Sequence, residues 1–422
     1  MHKKNIFYAQ SGGVTAVINA TACGVIETAR QYSAQLGTVL AGKDGILGAL
    51  QENLIDTAFE PDTLIAGLKY TPGGAFGSCR FKLKALQENR EPYQRLLEVF
   101  DAHNIGYFFY NGGGDSQDTA HKVSIMAREM GYPLQCIGIP KTIDNDLPIT
   151  DTCPGFGSVA KYVAISAREA SLDIASMCTT STKVFVLEVM GRHAGWIAAA
   201  GGLYSEAAET GPQIILFPEV PLKKSEFLQK VQQCVEHYGY CSIVTSEGIR
   251  NEQGEFLSKG NSIDAFGHAQ LGGAAPVISQ LIKQELDYKY HWAVSDYLQR
   301  SARHIASQVD VDQAYQLGCS AVTAALAGKS DIMLTIQRES QRPYQWSIGE
   351  VPLAEVANQE KMLPRDFISA DGFFITEQCR EYMLPLIQGE AYPLYSNGLP
   401  AYVTLNNNLV KKTLAAYRPS PQ

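Results

Sequence analysis

The sequence predicts an α/β protein of two three-layer domains with mostly parallel sheets, followed by a C-terminal extension. Three observations predict it. A strand, a Gly-rich turn and a helix recur as a unit, which argues for parallel sheets with helices on both faces. At 422 residues the chain is long enough to bury two cores. The chemically active residue types fall on the turns after strands, where parallel sheets place their ligands.

The elements follow in order. Asn5–Gln10 reads as a strand, Ser11-Gly12-Gly13 as its turn, and Thr15–Tyr32 as a helix with Ala, Val and Ile on one face. Gly106–Tyr110 leads through three glycines into a helix over Asp115–Met130, and Gln135–Ile139 leads through Lys141-Thr142-Ile143-Asp144 into a helix over Gly157–Ser171. Val184–Val189 then runs into Met190-Gly191-Arg192 and a helix over Ala194–Tyr204, with further strands at Gln213–Phe217 and Ser242–Thr245. From about Gly328 the chain alternates short strand-like and helical stretches, Asp331–Gln337 and Glu377–Leu386, between Pro and Asn turns, and carries no motif.

Composition narrows the class. Nine cysteines without a C-x-x-C pair, and an N-terminus with no apolar h-region, predict reduced thiols and a cytoplasmic protein. No apolar run approaches a membrane span, and a formal charge of −8 argues against a general nucleic-acid binder. If the ligands are phosphates, basic groups must gather in a cleft; Arg80, Lys82, Lys141, Lys183, Arg192, Lys289 and Arg300 are the candidates.

The most informative stretch is Pro140-Lys141-Thr142-Ile143-Asp144-Asn145-Asp146. It sets two carboxylates and a lysine on one short loop after a buried-looking strand. A carboxylate at such a turn can accept a proton from a sugar hydroxyl, a second can help to hold a metal, and an ammonium can neutralise a transferring or departing phosphate. With Gly112-Gly113-Gly114-Asp115-Ser116 upstream and Met190-Gly191-Arg192 downstream, this segment resembles the 6-phosphofructokinases. More narrowly, it resembles their diphosphate-dependent branch, in which a lysine precedes Thr-Ile-Asp and an aspartate precedes the serine of the Gly-rich loop.

The resemblance runs from Asn5 to about Leu326 and implies two interleaved, Rossmann-like domains: 1–152 with about 300–340 for the phosphoryl donor, and 153–299 for the sugar phosphate. About 341–422 is left as the extension, with chain crossings near Thr152 and Arg300. It implies reversible transfer from diphosphate to the 1-hydroxyl of fructose 6-phosphate, dependent on Mg²⁺, in a glycolytic homodimer or homotetramer. Asp144 is then the base, Lys141 stabilises the leaving phosphate, and Asp115 excludes the α-phosphate of a nucleotide. Gly13 and Arg80, with Lys82 assisting, take the donor. Thr142, Ile143, Asp144, Asp146, Met190, Gly191, Arg192, Glu247, Lys289, Tyr297 and Arg300 take the sugar phosphate. Lys183 stands where relatives supply an arginine across a subunit interface.

Two features depart from the pattern. Gly114 replaces the metal-binding aspartate of the resembled pattern, a loss for which Asp144, Asp146 or Asp118 with waters can compensate, Asp144 and Asp146 being the expected metal ligands. Phe266–Gly273 imitates the phosphate element but has Leu271 in place of its arginine, so that role goes to Tyr297 and Arg300. Outside ligand chemistry, Asp115 also suits the N-cap of its helix, and His193 a packing or hydrogen-bonding role. An ATP-dependent 6-phosphofructokinase and a catalytically silent phosphosugar-binding subunit remain as alternatives.

Overall fold

The computed structural model describes residues 3–204, 210–263 and 269–418. Its strands are, in chain order, β1 (Asn5–Ser11), β2 (Val39–Gly42), β3 (Leu54–Asp56), β4 (Ser78–Cys79), β5 (Ile105–Gly112), β6 (Gln135–Pro140) and β7 (Val184–Val189). There follow β8 (Ile214–Leu216), β9 (Cys241–Ser246), β10 (Lys259–Ile263), β11 (Ala269–Leu271), β12 (Tyr290–Val294), β13 (Ile332–Gln341) and β14 (Tyr344–Pro352).

The first sheet runs β14-β13-β6-β5-β1-β2-β3, with β4 also on β1, and only its two outer pairs, β13 with β14 and β2 with β3, are antiparallel. The second runs β12-β7-β9-β8 and is parallel throughout. Both are covered on both faces, and the sequence shows why. In β1, Phe7 and Ala9 enter one core cluster while Ile6 and Tyr8 enter another. In β7, Val184 and Val186 face one cluster, and Leu187 and Val189 the other. Side chains alternate between the faces of a strand, so a strand apolar at every position needs a partner layer on each side.

The elements differ from the sequence expectation where local signals are short. The first helix starts at Ile18 rather than Thr15, and the helix after Met190-Gly191-Arg192 is confined to Trp196–Ala200. β2, β3, β4 and β12 have two to five residues each, too few for periodicity to reveal. The chain passes from the first sheet to the second between Pro140 and Val184, and returns between Val294 and Ile332. The extension expected from about 341 instead opens with β14, an edge strand of the first sheet.

The remainder of the extension touches both cores. Leu363, Phe367, Cys379 and Met383 are buried against the second sheet. Farther on the chain returns to the first, where the amides of Thr413 and Leu414 donate to the buried carboxylate of Glu52. Among the described residues no helix is long and apolar enough to cross a membrane.

Candidate active site

Seven loops meet in a cleft of about 630 Å³ between the two sheets, and each leaves the carboxyl end of a parallel strand. β1 delivers Gly13, β5 delivers Asp115, and β6 delivers Lys141, Thr142, Ile143, Asp144 and Asp146. The second sheet supplies Met190 and Arg192 after β7, Glu247 after β9, and Tyr297 and Arg300 after β12; Arg80 follows β4 of the first sheet. A smaller recess of about 190 Å³ adjoins the cleft at Gly12–Gly13, Arg80, Gly113–Ser116 and Lys141.

The β6 loop is held from within. The Asp144 amide donates to Thr142 Oγ1 at 3.0 Å, and Ile143 turns its side chain into the second core. Lys141 is buried and donates to the Gly13 carbonyl at 2.6 Å, so the lysine joins the first and third glycine-flanked loops. Burial lowers its pKa to about 8, against the opposing pull of Asp144. Burial and the neighbouring carboxylates Asp146 and Glu247 push Asp144 up to about 7, and burial also raises Asp146. A carboxylate titrating near neutrality is matched to general-base work.

After β7, Gly191 adopts φ 131°, a conformation that side chains rarely take, and its amide donates to Glu247 at 3.3 Å. Met190 is fixed through its amide to Gln299 Oε1 at 3.3 Å. Arg300 stacks on the Tyr297 ring at 4.0 Å. Its guanidinium also reaches across the cleft: a methyl group on Gly13 would lie 2.5 Å from Arg300 Nη1 and 3.9 Å from Arg80 Nη2. A side chain at 13 would therefore displace the Arg300 guanidinium from its present position, while Arg80 is at ordinary contact distance.

Several residues stand elsewhere than expected. Lys82 is outside the cleft lining and pairs with Asp115 at 2.7 Å. Asp115 is not the N-cap, which is Gly113; it sits in the first turn of the helix Gly114–Glu129, where the helix dipole favours an anion. Lys289 precedes β12, at the amino end of a parallel strand and so at the opposite edge of the sheet from the cleft, beside Lys183, whose amide donates to the Lys289 carbonyl at 2.9 Å. Of the imitating element, Phe266–His268 lie outside the described residues, while Leu271 lines the cleft. His193 also lines it and meets Glu360 at 3.1 Å. Asp296 and Glu360 are cleft residues that carry no sequence motif.

The lining thus holds four Lys or Arg residues and six Asp or Glu residues. Such a cleft repels a polyphosphate unless a cation enters with it. Hard oxygen ligands are in place: Asp146 Oδ1 is buried without a partner, and at Gly114 an added methyl would meet nothing within 4 Å. Among the described residues no group of three or more His, Cys, Asp or Glu is placed to hold a metal by itself. A Mg²⁺-type ion, which needs few protein ligands when phosphates supply the rest, fits this set.

A sequence model described as Phosphofructokinase matches residues 5–334. The chain belongs to the phosphofructokinase family. Enzymes of this family generally use a divalent metal, in keeping with the acidic cleft. The chain is 63% identical over 416 residues, 99% of each sequence, to the pyrophosphate--fructose 6-phosphate 1-phosphotransferase of Methylococcus capsulatus. It is 58% identical to the solved pyrophosphate-dependent phosphofructokinase of Marinobacter aquaeolei, with a TM-score of 0.91 over 99% of this chain and 100% of that one. An ATP-dependent 6-phosphofructokinase of Mycobacterium tuberculosis is more distant, at 28% identity over 86% of this chain and 97% of the relative.

Proposed function

We propose that this phosphofructokinase transfers a phosphoryl group reversibly from diphosphate to the 1-hydroxyl of fructose 6-phosphate, giving fructose 1,6-bisphosphate and phosphate, as a cytoplasmic glycolytic enzyme. The observation that carries the reading is the buried Lys141 held to the Gly13 carbonyl, in a recess that Asp115 also lines. That pairing suits a small, highly charged leaving group and opposes a nucleotide's α-phosphate.

Asp144 takes the proton from the sugar 1-hydroxyl as its oxygen bonds to the terminal phosphorus and the bridging P–O bond breaks. The departing phosphate takes up the negative charge beside Lys141. Gly13 and Arg80 orient diphosphate, and Arg300 stands where it spans donor and acceptor. Met190, Gly191, Arg192, Glu247 and Tyr297 hold the sugar phosphate. Asp144 and Asp146 would hold Mg²⁺, whose role when bound is to neutralise charge on the phosphates. The rate enhancement comes from positioning and electrostatics, since the transferring group itself needs little covalent help.

A donor panel of diphosphate, ATP and ADP at fixed Mg²⁺ tests this reading. Turnover with diphosphate alone is expected. Turnover with ATP alone would make the chain an ATP-dependent enzyme, and none with any donor a phosphosugar-binding subunit.

The oligomeric reading rests on Lys183 and Lys289, neighbours at the amino ends of β7 and β12, of which Lys289 is exposed and Lys183 is half-buried with its ammonium on the Cys178 carbonyl. An interface that brings Lys183 to a partner's sugar-phosphate site brings Lys289 with it. Lys289→Ala is then expected to raise the fructose 6-phosphate KM about tenfold, the worth of one charge-assisted phosphate contact. An unchanged KM in an enzyme that sediments as a homodimer or homotetramer would remove both lysines from the site.

A further inference from the structure

The segment Glu360–Leu363 lies beyond residue 334, where the family match ends, yet it engages both halves of the cleft. The Lys361 amide donates to the Asp146 carbonyl at 2.6 Å. Its ammonium donates to the carbonyls of Thr150 and Asp151, each at 2.9 Å, and to Asn145 Oδ1 at 3.5 Å. Those three bonds use every proton of the ammonium, so none is left for a substrate phosphate.

Asn145 is the left-handed residue of the Lys141–Asp146 loop. It has φ 54°, accepts from the Cys153 amide at 3.0 Å, and donates to the Tyr382 hydroxyl at 3.2 Å. Tyr382 in turn donates to the Asp151 carbonyl. On the sugar side the Trp196 indole donates to the Lys361 carbonyl at 3.0 Å, with the ammonium 5.4 Å from the ring. The amides of Leu363 and Gly195 share Glu219 Oε1 at 3.1 and 2.8 Å.

We propose that Lys361 is a positioning residue for phosphoryl transfer: it holds the Lys141–Asp146 loop in its reactive shape and ties it to the Met190–Trp196 loop. Enclosing an ammonium is costly, and an apolar side chain of similar volume fills such a space with less penalty. What an apolar residue does not supply is three donors aimed at main-chain and Asn145 oxygens within one turn of the catalytic carboxylates. The C-terminal extension is thereby part of the active centre through a residue that touches no substrate.

The proposal rests on the phosphotransferase reading, so rates are taken with whichever of diphosphate and ATP the unaltered enzyme accepts. That choice lets the donor assignment fail without deciding the clamp. Lys361→Met is expected to lower kcat about 10²-fold, the cost of a displacement near 1 Å, with the fructose 6-phosphate KM within about threefold. Lys361→Arg should recover part of the loss by restoring donors. Lys412→Met, which removes an ammonium bonded to the Gln51 carbonyl at 2.9 Å on the first domain, serves as the control and should leave kcat unchanged. A folded Lys361→Met enzyme with native kcat, or one that loses only thermal stability, overturns the proposal. Should that variant fail to fold, Tyr382→Phe decides: a lowered kcat at constant KM supports the clamp, and native kcat overturns it.

Discussion

Asp144→Asn is expected to lower kcat by about 10²–10⁴-fold, with the fructose 6-phosphate KM within about an order of magnitude, because a positioned base is lost while the sugar-phosphate contacts stay. The residue's surroundings add two readouts. Asp144 is enclosed, faces Asp146, Glu247 and Lys141, and is pushed up to about 7. In the unaltered enzyme kcat/KM should therefore fall as pH drops through about 7, as the base is protonated, and this limb should belong to the Asp144–Asp146 pair.

Stability should move in the opposite sense to activity. A carboxyl whose folded pKa lies above its unfolded value of 3.8 destabilises the fold increasingly as pH rises between the two values, and by a constant amount above about 7. The asparagine variant should then melt at a higher temperature than the parent at pH 8, with the gain vanishing below pH ~4. A variant with near-native turnover removes Asp144 from the base role, and one that melts lower at pH 8 contradicts the buried-charge account.

Donor choice is the second large effect. Asp115→Gly removes a carboxylate from the recess and leaves Lys82, its partner at 2.7 Å, without that counter-charge. Lys141→Gly removes the ammonium that bonds the Gly13 carbonyl and that the proposed mechanism sets beside the leaving phosphate. ADP as leaving group needs that ammonium less than free phosphate does. Each single change should shift the kcat/KM ratio toward ATP, and the double variant by about 10²-fold or more, the scale of removing one preorganised electrostatic contact. The two residues line one recess, so the effects should be non-additive and all three variants are needed. If the double variant keeps the parental ratio of diphosphate to ATP, these residues do not set the donor.

The catalytic loops were legible because their signals are local. Glycines before a helix, a strand apolar at every position, and Lys-Thr-Ile-Asp-Asn-Asp after it are written within about ten residues, the range over which turn chemistry and side-chain alternation operate. The α/β class, the parallel sheets and the placing of each motif at a strand's carboxyl end therefore follow from the chain alone. Which loops meet was decided by strand order. Lys289 is close in sequence to Tyr297 and Arg300, but β12 separates them and carries the lysine to the opposite edge of the sheet. Asp115 looks like a cap in sequence, yet the helix begins one residue earlier and the carboxylate turns to Lys82.

Arg300 reads as a sugar-phosphate ligand, and only the facing of two sheets shows that its guanidinium lies against Gly13 and Arg80. Glu360 and Lys361 carry no motif because their partners, His193, Asn145 and Asp146, lie more than 160 residues away in the chain. A contact of that separation depends on packing of the whole chain, which leaves no periodic trace in either segment. The sequence by itself determined which chemistry the loops carry; the tertiary structure decided which side chains share the cleft, because sheet order and burial act between residues that local patterning never relates.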